Sequence, residues 1–147
     1  MEAETLAMSV ARCRIAIGLA AVAIPSAAVR AISADSKSGG LAPLLARMLG
    51  GRDIALGLGT VVALDHGAPV RGWLEGSALA DTVDCVCSVI AREHMTPRAF
   101  RATAGLAAAS AILGVVLARR LDPPPLPHPG QPEAVVTGHT PGLVADE

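Results

Sequence analysis

Four charged residues stand near the middle of apolar stretches, where charge is costly. Arg52 and Asp53 lie in LLARMLGGRDIALGLGTVVAL (44–64), and Asp81 and Asp84 in WLEGSALADTVDCVCSVIA (73–91). At a bilayer centre such a group costs ~2.5–3.5 kcal/mol on insertion scales, so each must meet a partner. The turn segment DHGAP (65–69) separates the two stretches. Counted from Ala68, Arg52 lies 16 residues before and Asp84 lies 16 residues after. At ~1.5 Å of rise per residue, both stand about 24 Å from the turn on antiparallel helices. Asp81, three residues from Asp84, shares its helix face. One guanidinium can bind one carboxylate bidentately or bridge two. The spacing therefore predicts an Arg52–Asp84 or Arg52–Asp81 pair. Such a cluster has two uses. It can be a structural clamp that fixes which helices pair. With Asp53 adding negative charge, it can also hold a proton, a cation or a polar small molecule.

No other residues form a reactive set. Cys13, Cys85 and Cys87 are odd in number, and two residues apart on a helix point to nearly opposite faces; they read as small buried apolar residues. His66, His94, His128 and His139 fall in turns, connectors or the tail without zinc spacing. Gly50-Gly51 and Gly57-x-Gly59 lack the Lys-Ser/Thr of a phosphate cradle. Neither an enzymatic activity nor a cofactor or metal is expected.

The elements that must position the cluster follow from composition. The 147 residues are 52% hydrophobic and 17% charged, with one Phe, one Trp and no Tyr. This excludes wholesale disorder and disfavours an all-β fold. A net charge of −1 gives no bulk attraction to nucleic acid. Four apolar blocks, 15–32, 44–64, 73–91 and 99–118, are separated by connectors that carry Pro43, Pro69 and Pro97. Each block is long enough, as a helix, to match a hydrocarbon core of ~30 Å. No block reaches 18 consecutive uncharged residues, so a soluble Ala-rich helical bundle competes. Against it, nothing is charged between Arg101 and Arg119, and a surface helix needs a polar face. The expectation is an all-α, four-transmembrane-helix bundle over residues 1–120, with helices at about 12–33, 43–64, 72–92 and 97–119.

Arg12 and Arg14 before an apolar run imitate a signal peptide, but Glu2 and Glu4 dilute the positive start and the pattern recurs internally. RIAIGLAAV (14–22) aligns without gaps on DIALGLGTV (53–61), with five of nine residues identical; duplication, a shared packing requirement or the chance likeness of Ala/Leu/Gly-rich helices would each produce this. Trp73 fits an interfacial anchor. Small-xxx-small spacings at Gly105/Ala109 and Gly114/Ala118 permit close helix approach. The tail, 121–147, holds seven of the eleven prolines and reads as disordered, partly polyproline II.

ARMLGGRDIALGLGTVVAL followed by RGWLEGSALADTVDCVCSVIA resembles an uncharacterised family of small four-helix integral membrane proteins of high-GC bacteria. That family's pattern is a Gly-Arg-Asp before an apolar Leu-Gly run, then Asp-x-x-Asp in the next helix. The matching positions are Gly51, Arg52, Asp53, Leu56 and Gly57, then Asp81 and Asp84. A looser similarity extends to DoxX-like membrane proteins. The resemblance implies a fold and a compartment, but no reaction. The expectation is therefore a multi-pass protein of the cell membrane, structural or accessory. Its surroundings would be the lipid bilayer, with a membrane-protein partner or a second copy and no nucleic acid. The alternative is a proton, cation or small-molecule carrier using Arg52, Asp53, Asp81 and Asp84. With Arg47 and Arg52 set aside as intramembrane, the basic residues divide five against five between the two sides, so orientation is undecided.

Overall fold

The computed structural model describes residues 2–32 and 41–121. The connector at 33–40 and the proline-rich tail from 122 onward lie outside the described residues. Five α-helices follow in order: α1 Glu2–Ala23, α2 Pro25–Ile32, α3 Leu41–Asp65, α4 Arg71–Ile90 and α5 Pro97–Leu121. A single 3₁₀ turn, Arg92–His94, joins α4 to α5. There is no strand among the described residues. The chain is all-α, and two of its helices, α1 and α5, are long and apolar enough to cross a membrane by length and composition.

The first element differs from the expected helix at about 12–33. It begins at Glu2, because a polar stretch can be helical too, and Glu2 and Glu4 favour the positive N-terminal end of the helix dipole. It breaks at Ile24, because Pro25 has no N–H to continue the ladder. Pro25 instead takes the first position of α2, where its lost donor is harmless. Arg14 is thereby moved from the edge of a span to the middle of a helix.

The turn after α3 is a Schellman motif. The N–H of Ala68 donates to the Ala63 carbonyl at 2.9 Å, and that of Gly67 to Leu64 at 3.3 Å. Gly67 supplies the left-handed residue, φ 62°, and Pro69 prevents continuation. At α5, Thr96 accepts the Ala99 N–H through Oγ1 at 3.2 Å, with Pro97 at the first helical position.

The four long helices form two antiparallel hairpins, α1 against α3 and α4 against α5, each packed along its length. The hairpins meet more sparingly, α3 beside α4 and α1 beside α5. In α1/α3 the buried positions are small: Ala7, Ala11 and Gly18 against Ala46, Gly50, Gly57, Thr60 and Ala63. A Cβ on Gly18 would lie 2.6 Å from the Gly50 carbonyl oxygen, and one on Gly50 would lie 2.6 Å from that of Gly18. The backbones are therefore in direct contact.

The internal repeat is visible here as geometry. Gly18 packs against Ile54, and Gly57 packs against Ile15. The alignment of 14–22 on 53–61 equates Gly18 with Gly57 and Ile15 with Ile54. The two contacts are thus copies of each other under an approximate two-fold axis across the hairpin. In α4/α5, Gly114 sits on Ala78 and Leu74, and Ala118 is buried; Gly105 and Ala109 are exposed. Only the second small-residue pair of α5 is used within the chain. Trp73, also half-exposed, lies over Gly59 of α3, so it joins the hairpins as well as facing outward.

A side chain at the glycine seam has no space to enter. Gly18→Ala or Gly50→Ala should destabilise by roughly 1–3 kcal/mol, the usual effect of overpacking. Gly51→Ala, which meets open space, should be neutral or stabilising. Thermal melts of the detergent-solubilised variants, followed by circular dichroism, check this ordering.

Candidate functional site: a five-residue ion network at mid-height

Each long helix presents a polar or charged group halfway along its length, facing inward. Arg14 comes from α1, Arg52 and Asp53 from α3, Asp81 and Asp84 from α4, and Ser110 from α5. The helix rise sets their common height. The small seam residues let the backbones approach until the side chains can touch.

Arg52 binds Asp84 with both terminal nitrogens. Nη1 donates to Oδ1 at 3.0 Å, and Nη2 donates to Oδ2 at 2.7 Å. This is the bidentate fork expected from equal distances to the turn, and the Arg52–Asp81 alternative is absent. Asp81 is instead held by Arg14, whose Nη2 donates to its Oδ2 and whose Nη1 donates to Asp53 Oδ1 at 2.9 Å. Asp53 Oδ1 also receives Arg52 Nη2 at 3.3 Å. The carboxylates and guanidiniums therefore alternate: Asp81, Arg14, Asp53, Arg52, Asp84. Ser110 Oγ accepts a longer bond of 3.4 Å from Arg14 Nη2.

Burial is graded along the network. The side chains of Arg14 and Asp81 are 10% and 9% exposed, whereas those of Arg52 and Asp84 are 29% and 32% exposed. Alternation neutralises four of the five charges, and three carboxylates against two guanidiniums leave one negative charge in excess. Two carboxylate oxygens, Asp53 Oδ2 and Asp81 Oδ1, accept no hydrogen bond among the described residues. Arg52 Nε is buried without an acceptor.

All four residues singled out from sequence are thus brought together. Arg14 was missed, and it is the residue that joins Asp53 to Asp81. Its signal was available in two forms: the three acids needed a second base, and the internal alignment places Arg14 over Asp53. The cysteines depart from expectation. Cys13 and Cys87 are exposed and Cys85 is half-buried, so they are not interior packing residues. His66 and His94 are exposed at turns, and no metal-binding group forms among the described residues.

Compared with known proteins, the chain matches no family model, no curated protein and no solved structure. What the site does must be argued from its own chemistry.

Removing one member of a buried ion pair strands the other, at roughly 3–5 kcal/mol. Arg14→Gln strands two carboxylates in the driest part of the network and should be the most damaging single change. Arg52→Gln and Asp84→Asn, at the wetter end, should each be milder. Combined, they should recover part of the loss, because neither charge is then left alone. Membrane-fraction yield and melting temperature across this double-mutant cycle provide the measurement. Full additivity would refute the pairing.

Proposed function

We infer that the chain is a small multi-pass integral protein of the cell membrane, in which α1, α3, α4 and α5 all span as a four-helix bundle. The role that the geometry supports best is a structural or accessory one without enzymatic activity. The bundle would be offered to a membrane-protein partner or a second copy. The observation that carries this reading is the placement of side chains, which is the reverse of a water-soluble domain.

Among the described residues, Leu117 is the one large side chain that is fully buried; Val70 and Leu74 are buried beside it, and the rest of the interior is mostly Ala, Gly, Ser, Thr and the ion network. The large apolar side chains point outward on every long helix: Ile17, Leu58, Leu79 and Ile112 are 51%, 48%, 67% and 67% exposed. Water would penalise that surface by roughly 25 cal/mol per Å². Lipid would not, and between lipid-soluble helices close backbone approach and polar pairs provide the adhesion.

The charges fit the same reading. Exposed charges gather at the two ends: Glu2, Glu4, Asp65, Arg119 and Arg120 at one, and Arg30, Arg92, Glu93, Arg98 and Arg101 at the other. Arg12 and Arg47 are exposed nearer the middle. Helical side chains lean toward the N-terminus, so Arg47 can extend toward the Leu41 end of α3, whereas Arg12, ten residues or ~15 Å from Glu2, stays near the height of the network. What separates α3 and α4 from α1 and α5 in hydropathy is largely Arg52, Asp53, Asp81 and Asp84, which are the residues that neutralise one another.

The protein should remain in the membrane pellet through an alkaline carbonate wash. In a cysteine-free background, His66→Cys and Glu93→Cys should react with an impermeant maleimide from opposite sides of the membrane, while Leu79→Cys stays protected. Recovery without detergent, or labelling of both end positions from one side, would refute four spans.

A second reading, a proton or cation carrier, is favoured by the negative excess of the network. It requires cation- or pH-dependent flux in liposomes. Under the structural reading, reconstituted protein shows none.

A further inference from the structure

The ion network is the floor of a cavity. Where α1 and α5 part, a cleft of about 610 Å³ opens between the hairpins. Its walls are apolar, with Val10 and Ile17 from α1 facing Leu106 and Leu113 from α5. Its charged lining is Arg14, Asp53, Asp81 and Asp84, with Thr103 and Ser110 adding hydroxyls. The volume falls within the range of small-molecule sites, which are mostly apolar with a few placed polar groups.

We propose that this cleft binds a small organic monocation, an ammonium group on an apolar body, with the ammonium seated between Asp53 and Asp81. Three features select that class. The network's formal excess of one negative charge matches a single positive charge. The two carboxylate oxygens without hydrogen bonds, Asp53 Oδ2 and Asp81 Oδ1, belong to lining residues and are acceptors without donors. A protonated amine supplies such donors, whereas an alcohol supplies one and no charge. Asp81 is also 7% exposed as a residue, so a cation reaching it sheds most of its water. The apolar walls then favour a hydrophobic ammonium over a hydrated metal ion. An anion would meet the carboxylates and is rejected. This site is additional to the structural role and does not require transport.

The test uses the full chain in a nonionic detergent, titrated calorimetrically with 4-phenylbutylammonium and its neutral isostere 4-phenylbutanol. The ammonium should bind about tenfold or more tightly than the alcohol, the scale of one charge-assisted hydrogen bond. Asp81→Asn should remove that preference. Because Asp81 also holds Arg14, this variant can fail to fold, and a second change keeps the test sound. Ala102 is exposed on the cleft wall and outside the network, so Ala102→Trp should fill the cleft and abolish binding while leaving the melting temperature unchanged. Equal binding of ammonium and alcohol would make the cleft a plain apolar groove for lipid chains and overturn the proposal. So would ammonium binding that survives Ala102→Trp. Neither result would bear on whether the helices span a membrane, which the maleimide labelling reads separately.

Discussion

Charge neutralisation away from water is the constraint to which the rest of this architecture answers. Five ionised side chains sit at mid-height, and each is tolerable there only while its neighbours of opposite sign stay in place. The alternating order ties three helices together through two guanidiniums. Arg14 holds α3 and α4 to α1, and Arg52 holds α4 to α3. The contribution is better described as specificity than as stability. Apolar residues of the same volume could bind the helices as firmly, but they would not fix one register and one set of neighbours.

The glycine and alanine seams serve the same constraint. An aspartate side chain is short, and Asp53 and Asp81 can share one guanidinium only if their helices lie close to α1. Gly18 against Gly50, with no Cβ on either, sets that distance one turn from the ion pair. Close backbones also explain the outward rotation of the large residues. Once the interior is narrow, most of the large apolar residues turn to the periphery, and the exceptions, Val70, Leu74 and Leu117, cluster at one end. Seam and surface are therefore two results of one geometric requirement, and the membrane setting proposed above would relieve the penalty that both would carry in water.

Much of this could be read from the chain, and the failures have physical reasons. The Arg52–Asp84 fork followed from counting residues to the Gly67 turn, because helix rise is nearly invariant. The α3 and α4 boundaries were close for the same reason: proline and glycine punctuate them. Arg14 escaped because the start of α1 was read from hydropathy, and hydropathy reports solvent preference rather than helix formation. Glu2, Thr5 and Ser9 are polar yet helical. Cys13 and Cys87 were assigned to the interior by a rule that holds for proteins in water; under the proposed membrane reading, small apolar residues would face out as readily as in. The cleft was invisible, because it depends on how far α1 and α5 separate, and no residue spacing encodes that distance.

The approximate two-fold axis of the α1/α3 hairpin has one further implication. A residue close to such an axis faces its own counterpart, and here the counterparts are Arg14 and Asp53. Two identical segments would have placed guanidinium against guanidinium, or carboxylate against carboxylate, at the point of closest approach. Similarity between the halves can therefore be extensive everywhere except there. That single break in sameness makes the halves non-interchangeable, and it gives an otherwise self-similar hairpin a definite first and second helix of its pair.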